Sequence, residues 1–186
     1  MRRRVYLAGP DVFLPNAPAH AARKQAICAR HGLEPLVPLN EDVASLAAMP
    51  EDAAWRVIFA KDLAMMRAAD LVIANLTPFR GASADAGTLV ELGWFLGAGK
   101  PAFGYSNSAI PFTARNAALL RAVPDAMAGV VVGGFGLADN LMIPGALEHA
   151  GGLAMVLPAD GRDRAFDALD VFERCVVLVA AQLEGR

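Results

Sequence analysis

A strand, a polar loop and a helix are predicted in direct succession within residues 70–100, and this pattern constrains the fold more than any other feature of the sequence. An apolar run at 71–74 leads into a loop that contains Gly and Pro, and a helical pattern covers 86–98. Such a unit is typical of parallel α/β sheets, which bind ligands at the carboxyl ends of their strands. Asp85 and Glu91 are both expected there, and two carboxylates favour chemistry on a sugar over chemistry on a phosphate.

The alternation of strand and helix continues along the chain. It predicts a parallel sheet with helices on both faces, because parallel strands are buried on both sides. Five strands in 186 residues fit a flavodoxin-like, doubly wound α/β fold, and we expect a single domain over residues 1–186. The predicted strands are 4–8, 33–37, 71–74, 101–105 and 130–132. The predicted helices are 19–30, 51–68, 86–98, 141–150 and 164–183, with a further short helix within the loop 106–127.

Composition limits the classes of protein that the sequence fits. Hydrophobic residues make up 55% and charged residues 19%, which indicates a large core or surface buried between subunits. The net charge of −2 gives no sign of a nucleic-acid partner. No apolar run reaches the roughly 18 residues of a membrane span, and the apolar run after the N-terminal arginines is too short for a signal peptide. We therefore expect a cytoplasmic protein without a membrane partner.

The sequence lacks the patterns of common metal and cofactor sites. Cys28 and Cys175 both fall in helical patterns with apolar neighbours, which predicts two buried, reduced thiols. Three scattered histidines and the lack of a CxxC pair give no support for a metal site. The glycine-rich segment 129–140 lacks the Lys and Ser or Thr of a phosphate-binding loop. We expect neither a metal nor a cofactor.

Glu91 is the strongest single candidate for a catalytic residue. Its neighbours in the predicted helix include Leu89, Val90 and Leu92, which leave little polar surface to which a carboxylate could belong. A carboxylate in apolar surroundings is paired, hydrogen-bonded or functional, and the residues alone leave these three interpretations open.

The other candidates have ordinary structural interpretations. Asp85 is a good helix N-cap residue, Asp62 fits the surface of a helix, and Tyr6 fits the buried side of a strand. The turn that contains Gly9 and Asp11 follows the first strand, so it belongs to the same crevice as the end of the third strand.

Four short motifs occur in order along most of the chain. They are Tyr-Leu-Ala-Gly-Pro at 6–10, the pair Asp62 and Asp70, Asp-Ala-Gly-Thr-Leu-Val-Glu-Leu-Gly at 85–93, and Asn-Leu-Met at 140–142. Together these motifs resemble the nucleoside 2-deoxyribosyltransferase family. The resemblance implies transfer of a 2-deoxyribosyl group from one nucleobase to another with net retention, on nucleosides and free nucleobases as substrates.

The resemblance also implies a role for each catalytic candidate. Glu91 would be the nucleophile that forms a glycosyl–enzyme ester, because a retaining transfer consists of two inversions. Departure of the base needs a proton, and Asp62 would either donate this proton or orient the base as an acid. Tyr6 would form a hydrogen bond with Glu91 and orient it.

Sugar binding would involve two subunits. By the same resemblance, Asp85 would hold the sugar 5′-hydroxyl together with Asn140 of a neighbouring subunit, and Met142 of that neighbour would pack beside the nucleophile. We therefore expect a homo-oligomer, at least a dimer, whose apolar interfaces would account for the composition.

The turn after the first strand is expected to contact the nucleobase. Phe13 is a candidate stacking platform, and Asp11, to which the resemblance gives no role, is a candidate contact to the base. Gly9 completes the set of predicted substrate-binding residues.

Three alternatives stay open. An N-glycoside hydrolase of nucleoside 5′-monophosphates would need a phosphate pocket; Asp85 would repel the phosphate, whereas Arg80 and Ser83 would support it. A hydrolase of unphosphorylated nucleosides would share the covalent intermediate with the transferase. A ligand-binding protein without catalysis would need no activated carboxylate, and the presence of all the acidic candidates disfavours it.

Overall fold

The computed structural model describes residues 2–39, 48–122, 129, 131, 133 and 135–185. Its centre is a parallel sheet of four strands in the order β2–β1–β3–β4. This is the strand order of the flavodoxin-like fold, whose ligands bind where the order reverses, beside the first and third strands. The strands are β1 (Arg3–Ala8), β2 (Leu33–Leu36), β3 (Leu71–Asn75) and β4 (Ala102–Tyr105).

Helices cover both faces of the sheet, as predicted. The described helices are α1 (Ala17–Arg30), α2 (Glu51–Ala68), α3 (Ala86–Gly97), α4 (Phe112–Ala122), α5 (Met142–Gly151) and α6 (Asp170–Glu184). One hydrophobic cluster joins α1 and α6 to one face of the sheet, and a second cluster joins α2, α3 and α5 to the other. A 3-10 turn, Pro10–Phe13, follows β1.

The prediction of five strands is wrong for the described part of the chain, where the sheet has four. Of the predicted fifth strand at 130–132, the structure describes only Val131, which is 89% exposed and in no strand; the other two residues lie outside the described part. Beside β4 there is one isolated parallel bridge, between Tyr105 and the buried Val156. Successive valines indicate β-propensity, but a strand also needs a partner and a face to pack on.

The last helix begins six residues later than predicted, at Asp170 instead of Arg164. The side-chain amide of Asn107 donates hydrogen bonds to the carbonyl oxygens of Ala165, Phe166 and Ala168 at 2.9–3.0 Å. These carbonyl groups are therefore occupied by a side chain that lies far away in the sequence, and the helix starts only beyond them.

The alternation of side chains along β1 positions the candidate site. Val5 and Leu7 pack in the cluster with α1 and α6, whereas Tyr6 and Ala8 pack in the cluster with α3. Because neighbouring residues of a strand point to opposite faces, Tyr6 is directed towards the helix that carries Glu91. Cys28 and Cys175 are free and buried in the first cluster, which confirms the prediction for both thiols.

Replacement of Gly151 tests how closely α5 packs on β4. A Cβ atom there would collide with the Ala102 carbonyl oxygen and the ring of Phe103, so we expect Gly151→Ala to reduce the free energy of unfolding by about 2–3 kcal/mol. Gly145, in the same helix, has nothing within 4 Å of such a Cβ, and Gly145→Ala is the matched control. The measurement is urea unfolding, and equal stability of the two variants would contradict the packing.

Candidate active site

A cavity of about 510 Å³ opens at the carboxyl end of the sheet. It contains five of the predicted site residues: Gly9 and Phe13 from the turn after β1, Asp62 from α2, and Asp85 and Glu91 from the start and middle of α3. The other lining residues are Val12, Ala17, Pro18, Pro38, Leu39, Ile58, Gly87 and Thr88. The fold therefore brings together predicted site residues that are up to 82 positions apart in the sequence.

Tyr6 of the central strand β1 holds the carboxylate of Glu91 in place. The hydroxyl group of Tyr6, which is completely buried in β1, donates a hydrogen bond of 2.6 Å to Oε1 of Glu91. Tyr6 also packs against Phe95 of α3, with ring centroids 5.9 Å apart. These contacts fix the carboxylate at the floor of the cavity and leave Oε2 without a donor among the described residues.

The environment of Glu91 opposes its ionisation. Burial raises the pKa of Glu91 to about 7, the hydrogen bond from Tyr6 lowers it, and the charges of Asp62 and Asp85 raise it further. Burial and the charge of Glu91 also raise the pKa of Tyr6 far above its usual value, so this residue stays protonated and remains a donor. The pair therefore consists of a carboxyl group with a pKa near neutral pH, that of Glu91, and a hydroxyl group that always donates a hydrogen bond, that of Tyr6.

Asp62 lies across the cavity on α2. Burial raises its pKa above the usual value, and the adjacent charge of Lys61 lowers it. An acid with a raised pKa in a cavity is suited to proton transfer, which distinguishes Asp62 from an ordinary carboxylate on a helix surface.

Asp85 caps α3, as predicted, and also lines the cavity. Its Oδ2 accepts hydrogen bonds from the backbone N–H of Thr88 at 3.0 Å and from the Thr88 hydroxyl at 3.2 Å, so it caps α3. No described residue donates to Oδ1, and the residue lines the cavity. One oxygen therefore stabilises the helix while the other is free for a ligand.

Asp11 lies behind the cavity wall and does not line the cavity. Its Oδ1 accepts a hydrogen bond from Asn75 at 2.9 Å and lies 3.2 Å from His20, and its Oδ2 accepts one of 2.8 Å from Lys24. Burial opposes ionisation, but the charge of Lys24 and these hydrogen bonds hold the pKa of Asp11 well below its usual range. The structure thus gives Asp11 a role in fixing the turn that contains Gly9, where an added Cβ would lie 2.8 Å from Asn75.

Phe13 is exposed at the mouth of the cavity. Its ring stacks on that of Phe79, with centroids 5.7 Å apart and planes inclined by 13°. The guanidinium group of Arg80 lies 4.9 Å from the centroid of Phe13 and 4.7 Å from that of Phe79. An aromatic surface beside the carboxylates is suited to a planar ligand.

Asn140 and Met142 do not line the cavity of their own chain. Both are exposed, Met142 by 69%, and Asn140 Oδ1 accepts a hydrogen bond from the backbone N–H of Met142 at 3.1 Å. The structure therefore does not bring them together with Glu91 within one subunit.

Two buried networks beside the cavity were not found by sequence analysis. One contains Lys24 and Asp11, and the other contains Asp139, Arg115 and Ser83. Their partners lie 13 to 56 residues apart in the sequence, so no local pattern indicates them.

The described residues contain neither a membrane-spanning helix nor a cluster of metal-binding side chains. No helix there is long and apolar enough to cross a membrane. Within the same part of the chain, no group of three or more His, Cys, Asp or Glu side chains is placed to hold a metal ion.

The strand order defines a flavodoxin-like α/β protein, and its cavity lies at the carboxyl edge of the sheet, where proteins of this fold bind their ligands. Residues 5–142 match the family model described as nucleoside 2-deoxyribosyltransferase, and the chain belongs to this family. This membership supports a glycosyltransferase.

Three known proteins are similar to this chain over almost its whole length. The structure of a 2-desoxiribosyltransferase from Leishmania mexicana has 28% identity and a TM-score of 0.63, with 96% of this chain and 97% of that chain covered. A conserved protein from Enterococcus faecalis shares the fold, with 18% identity, a TM-score of 0.56 and coverage of 98% and 99%. An uncharacterized protein of Schizosaccharomyces pombe is 28% identical, with 98% of this chain and 90% of the relative covered.

Glu91 is expected to reduce the stability of the fold in neutral and alkaline solution. Its pKa is raised from 4.5 to about 7, so the stability that the neutral acid provides is complete below pH 4.5 and is lost as the pH rises through about 7. Glu91→Gln should therefore raise the free energy of unfolding by roughly 2–3 kcal/mol near pH 8 and have little effect near pH 4. Thermal unfolding across this pH range measures the difference. The control is Glu184→Gln, an exposed carboxylate of α6, and the same small shift for both variants at every pH would contradict the buried state of Glu91.

Proposed function

We propose that this protein is a nucleoside 2-deoxyribosyltransferase that transfers 2-deoxyribose between nucleobases through a glycosyl–enzyme intermediate on Glu91. The observation that carries the proposal is the buried Tyr6 hydroxyl, which donates 2.6 Å to Oε1 of Glu91 at the floor of an acidic cavity. Membership in the family supports the reaction, and the geometry supports the assignment of the nucleophile.

The first step is a displacement at the anomeric carbon. An oxygen of Glu91 attacks C1′, the C1′–O bond forms, and the C1′–N bond breaks with its electron pair passing to the base. Asp62, whose raised pKa favours a proton-carrying acid, protonates the departing base. Tyr6 keeps the carboxylate in one orientation, which lowers the entropy lost on reaching the attack geometry.

The second step reverses the first with another base. Asp62 takes a proton from the incoming base, whose nitrogen attacks C1′ and releases Glu91 as a carboxylate. Two inversions give net retention of configuration, the outcome expected of a carboxylate nucleophile. Water in place of the base would give hydrolysis of the same intermediate.

The charges of the cavity support an unphosphorylated nucleoside as the substrate. Asp62, Asp85 and Glu91 line it, whereas its lining includes no Lys or Arg from the described residues. Ser83, which the phosphate alternative would need, donates its hydroxyl hydrogen to Asp139 at 2.6 Å. Arg80, the other residue that would support a phosphate, lies over the rings of Phe13 and Phe79 and is not part of the cavity lining. A 5′-phosphate would therefore meet carboxylates on the lining, and we propose that Oδ1 of Asp85 binds the 5′-hydroxyl.

The proposal extends to the assembly and setting of the protein. Asn140 and Met142 are exposed and outside their own cavity, which supports their placement in the site of a neighbouring subunit of a homo-oligomer. The single domain of 186 residues would act on small nucleosides and bases, with Phe13 stacking on the base. Two buried free thiols fit a reducing, cytoplasmic setting.

Base exchange is the direct test. Purified protein with deoxyinosine and adenine should form deoxyadenosine faster than it releases free deoxyribose, as followed by chromatography. Glu91→Ala should lower this rate at least about a thousandfold because it removes the covalent route, whereas Glu184→Ala should leave it unchanged. Release of hypoxanthine without a new nucleoside would show that the protein is a hydrolase and not a transferase. Release of base only from nucleoside monophosphates would contradict the proposed role of Asp85.

The pH dependence tests the link between Tyr6 and the nucleophile. Because Glu91 must be ionised to attack, kcat/KM should fall about tenfold per pH unit below its pKa of about 7. Tyr6→Phe removes the hydrogen bond that lowers this pKa, so the acidic limb should move to higher pH. An unchanged limb in Tyr6→Phe, measured alongside Tyr105→Phe of β4, would contradict the assignment.

A further inference from the structure

Asp139 is a buried carboxylate that is hydrogen-bonded to the residue directly before Asp85. Only 1% of it is exposed. Its Oδ1 accepts hydrogen bonds from the hydroxyl group of Ser83 at 2.6 Å and from the backbone N–H of Asn140 at 2.8 Å, and its Oδ2 accepts one from the backbone N–H of Ala84 at 3.1 Å. One side chain thus connects the segment before α3 with the segment before α5.

Arg115 of α4 completes the network. Its guanidinium group lies 3.6 Å from Oδ2 of Asp139 and donates hydrogen bonds to the carbonyl oxygens of Ala82, Ile110 and Ala138. Two of these carbonyl groups belong to the same two segments that Asp139 joins. The buried negative charge therefore has a partner of opposite charge, which a carboxylate in this position requires.

The two connected segments each lead to a residue of the proposed sugar site. Ala84 directly precedes Asp85, and Asn140 directly follows Asp139. Both segments lie outside the helices and strands. One backbone hydrogen bond holds each of them, from Phe79 to the Ser83 carbonyl oxygen and from Phe112 to the Leu137 carbonyl oxygen, and Asp139 and Arg115 add the side-chain contacts that join the two segments to each other. The cap from Asp85 to Thr88 fixes the orientation of that carboxylate relative to α3. Asp139 holds the residue directly before it, through the backbone N–H of Ala84.

We propose that Asp139 is a positioning residue that sets Asp85 for the 5′-hydroxyl of the substrate, an inference that rests on the function proposed above. Both of its carboxylate oxygens accept hydrogen bonds, Oδ1 from Ser83 and Asn140 and Oδ2 from Ala84. Only a side chain with two accepting oxygens can do this, which favours Asp over Asn at this position. In Asp139→Asn, an amide –NH₂ group replaces one of the two accepting oxygens. This group either faces an N–H or O–H donor or leaves that donor without a hydrogen bond, and Arg115 loses its counter-charge.

The test compares two substrates that differ in one hydroxyl group. The ratio of kcat/KM for a 2′-deoxynucleoside to that for the matching 2′,5′-dideoxynucleoside reports only what the protein gains from the 5′-hydroxyl. We expect a ratio above about ten for the wild-type protein, because the bond is to a charged group. In Asp139→Asn the ratio should fall to about two or less, through a higher KM for the 2′-deoxynucleoside.

Two further variants make the test decisive. Ser83→Ala removes one donor but keeps the Asp139–Arg115 ion pair, and it should lower the ratio about threefold even if Asp139→Asn does not fold. Asp163→Asn is the matched control, because Asp163 also accepts from a backbone N–H, that of Ala109, and a serine hydroxyl, that of Ser108, but is exposed. It should leave the ratio unchanged.

The outcomes separate the inference from the proposed function. If the wild-type protein discriminates and a folded Asp139→Asn, or Ser83→Ala, discriminates equally well, Asp139 is only structural and the inference is overturned while the function stands. An equal loss of kcat/KM for both substrates in Asp139→Asn or Ser83→Ala would also overturn the inference. If the wild-type protein exchanges no bases at all, the proposed function fails first.

Discussion

The buried charges that join the ends of β1 and β3 hold the cavity together. Asp11, in the turn after β1, accepts hydrogen bonds from Asn75 at the end of β3 and from Lys24 of α1. Charges removed from water are stable only when they are paired and hydrogen-bonded, so this arrangement admits few alternative positions for the turn. The wall that contains Gly9 and Phe13 depends on it, and the aromatic surface at the cavity mouth is placed as a consequence.

Opposite this wall, the cavity concentrates negative charge without a cation among its described lining residues. The fold tolerates this because the three carboxyl groups differ in their surroundings. Glu91 is buried over Tyr6, Asp62 is half-buried beside Lys61, and Asp85 caps a helix. Burial raises the pKa of Glu91 to about 7, and it raises the pKa of Asp62 against the opposing charge of Lys61, so the protonation of these two acids depends on different neighbours.

Patterns that arise from burial were readable in the sequence, and contacts between distant residues were not. The strands β1 and β3 were predicted because strands covered on both faces are continuous apolar runs, and Glu91 stood out because its neighbours are apolar. The start of α6 was misplaced because the side chain of Asn107 occupies the carbonyl groups before it. Asp139 and Lys24 escaped notice for the same reason: what makes each of them important lies elsewhere in the chain.

Asp85 has consequences for how such a protein can change. Its carboxylate both begins α3 and faces the cavity, so a replacement must keep a helix-capping oxygen whatever ligand it is to meet. Only Ser, Thr and Asn share that ability to any useful degree. The replacements by which a relative could come to accept a different ligand group at this end of the cavity are therefore few, and the first of them are limited to small, uncharged polar residues.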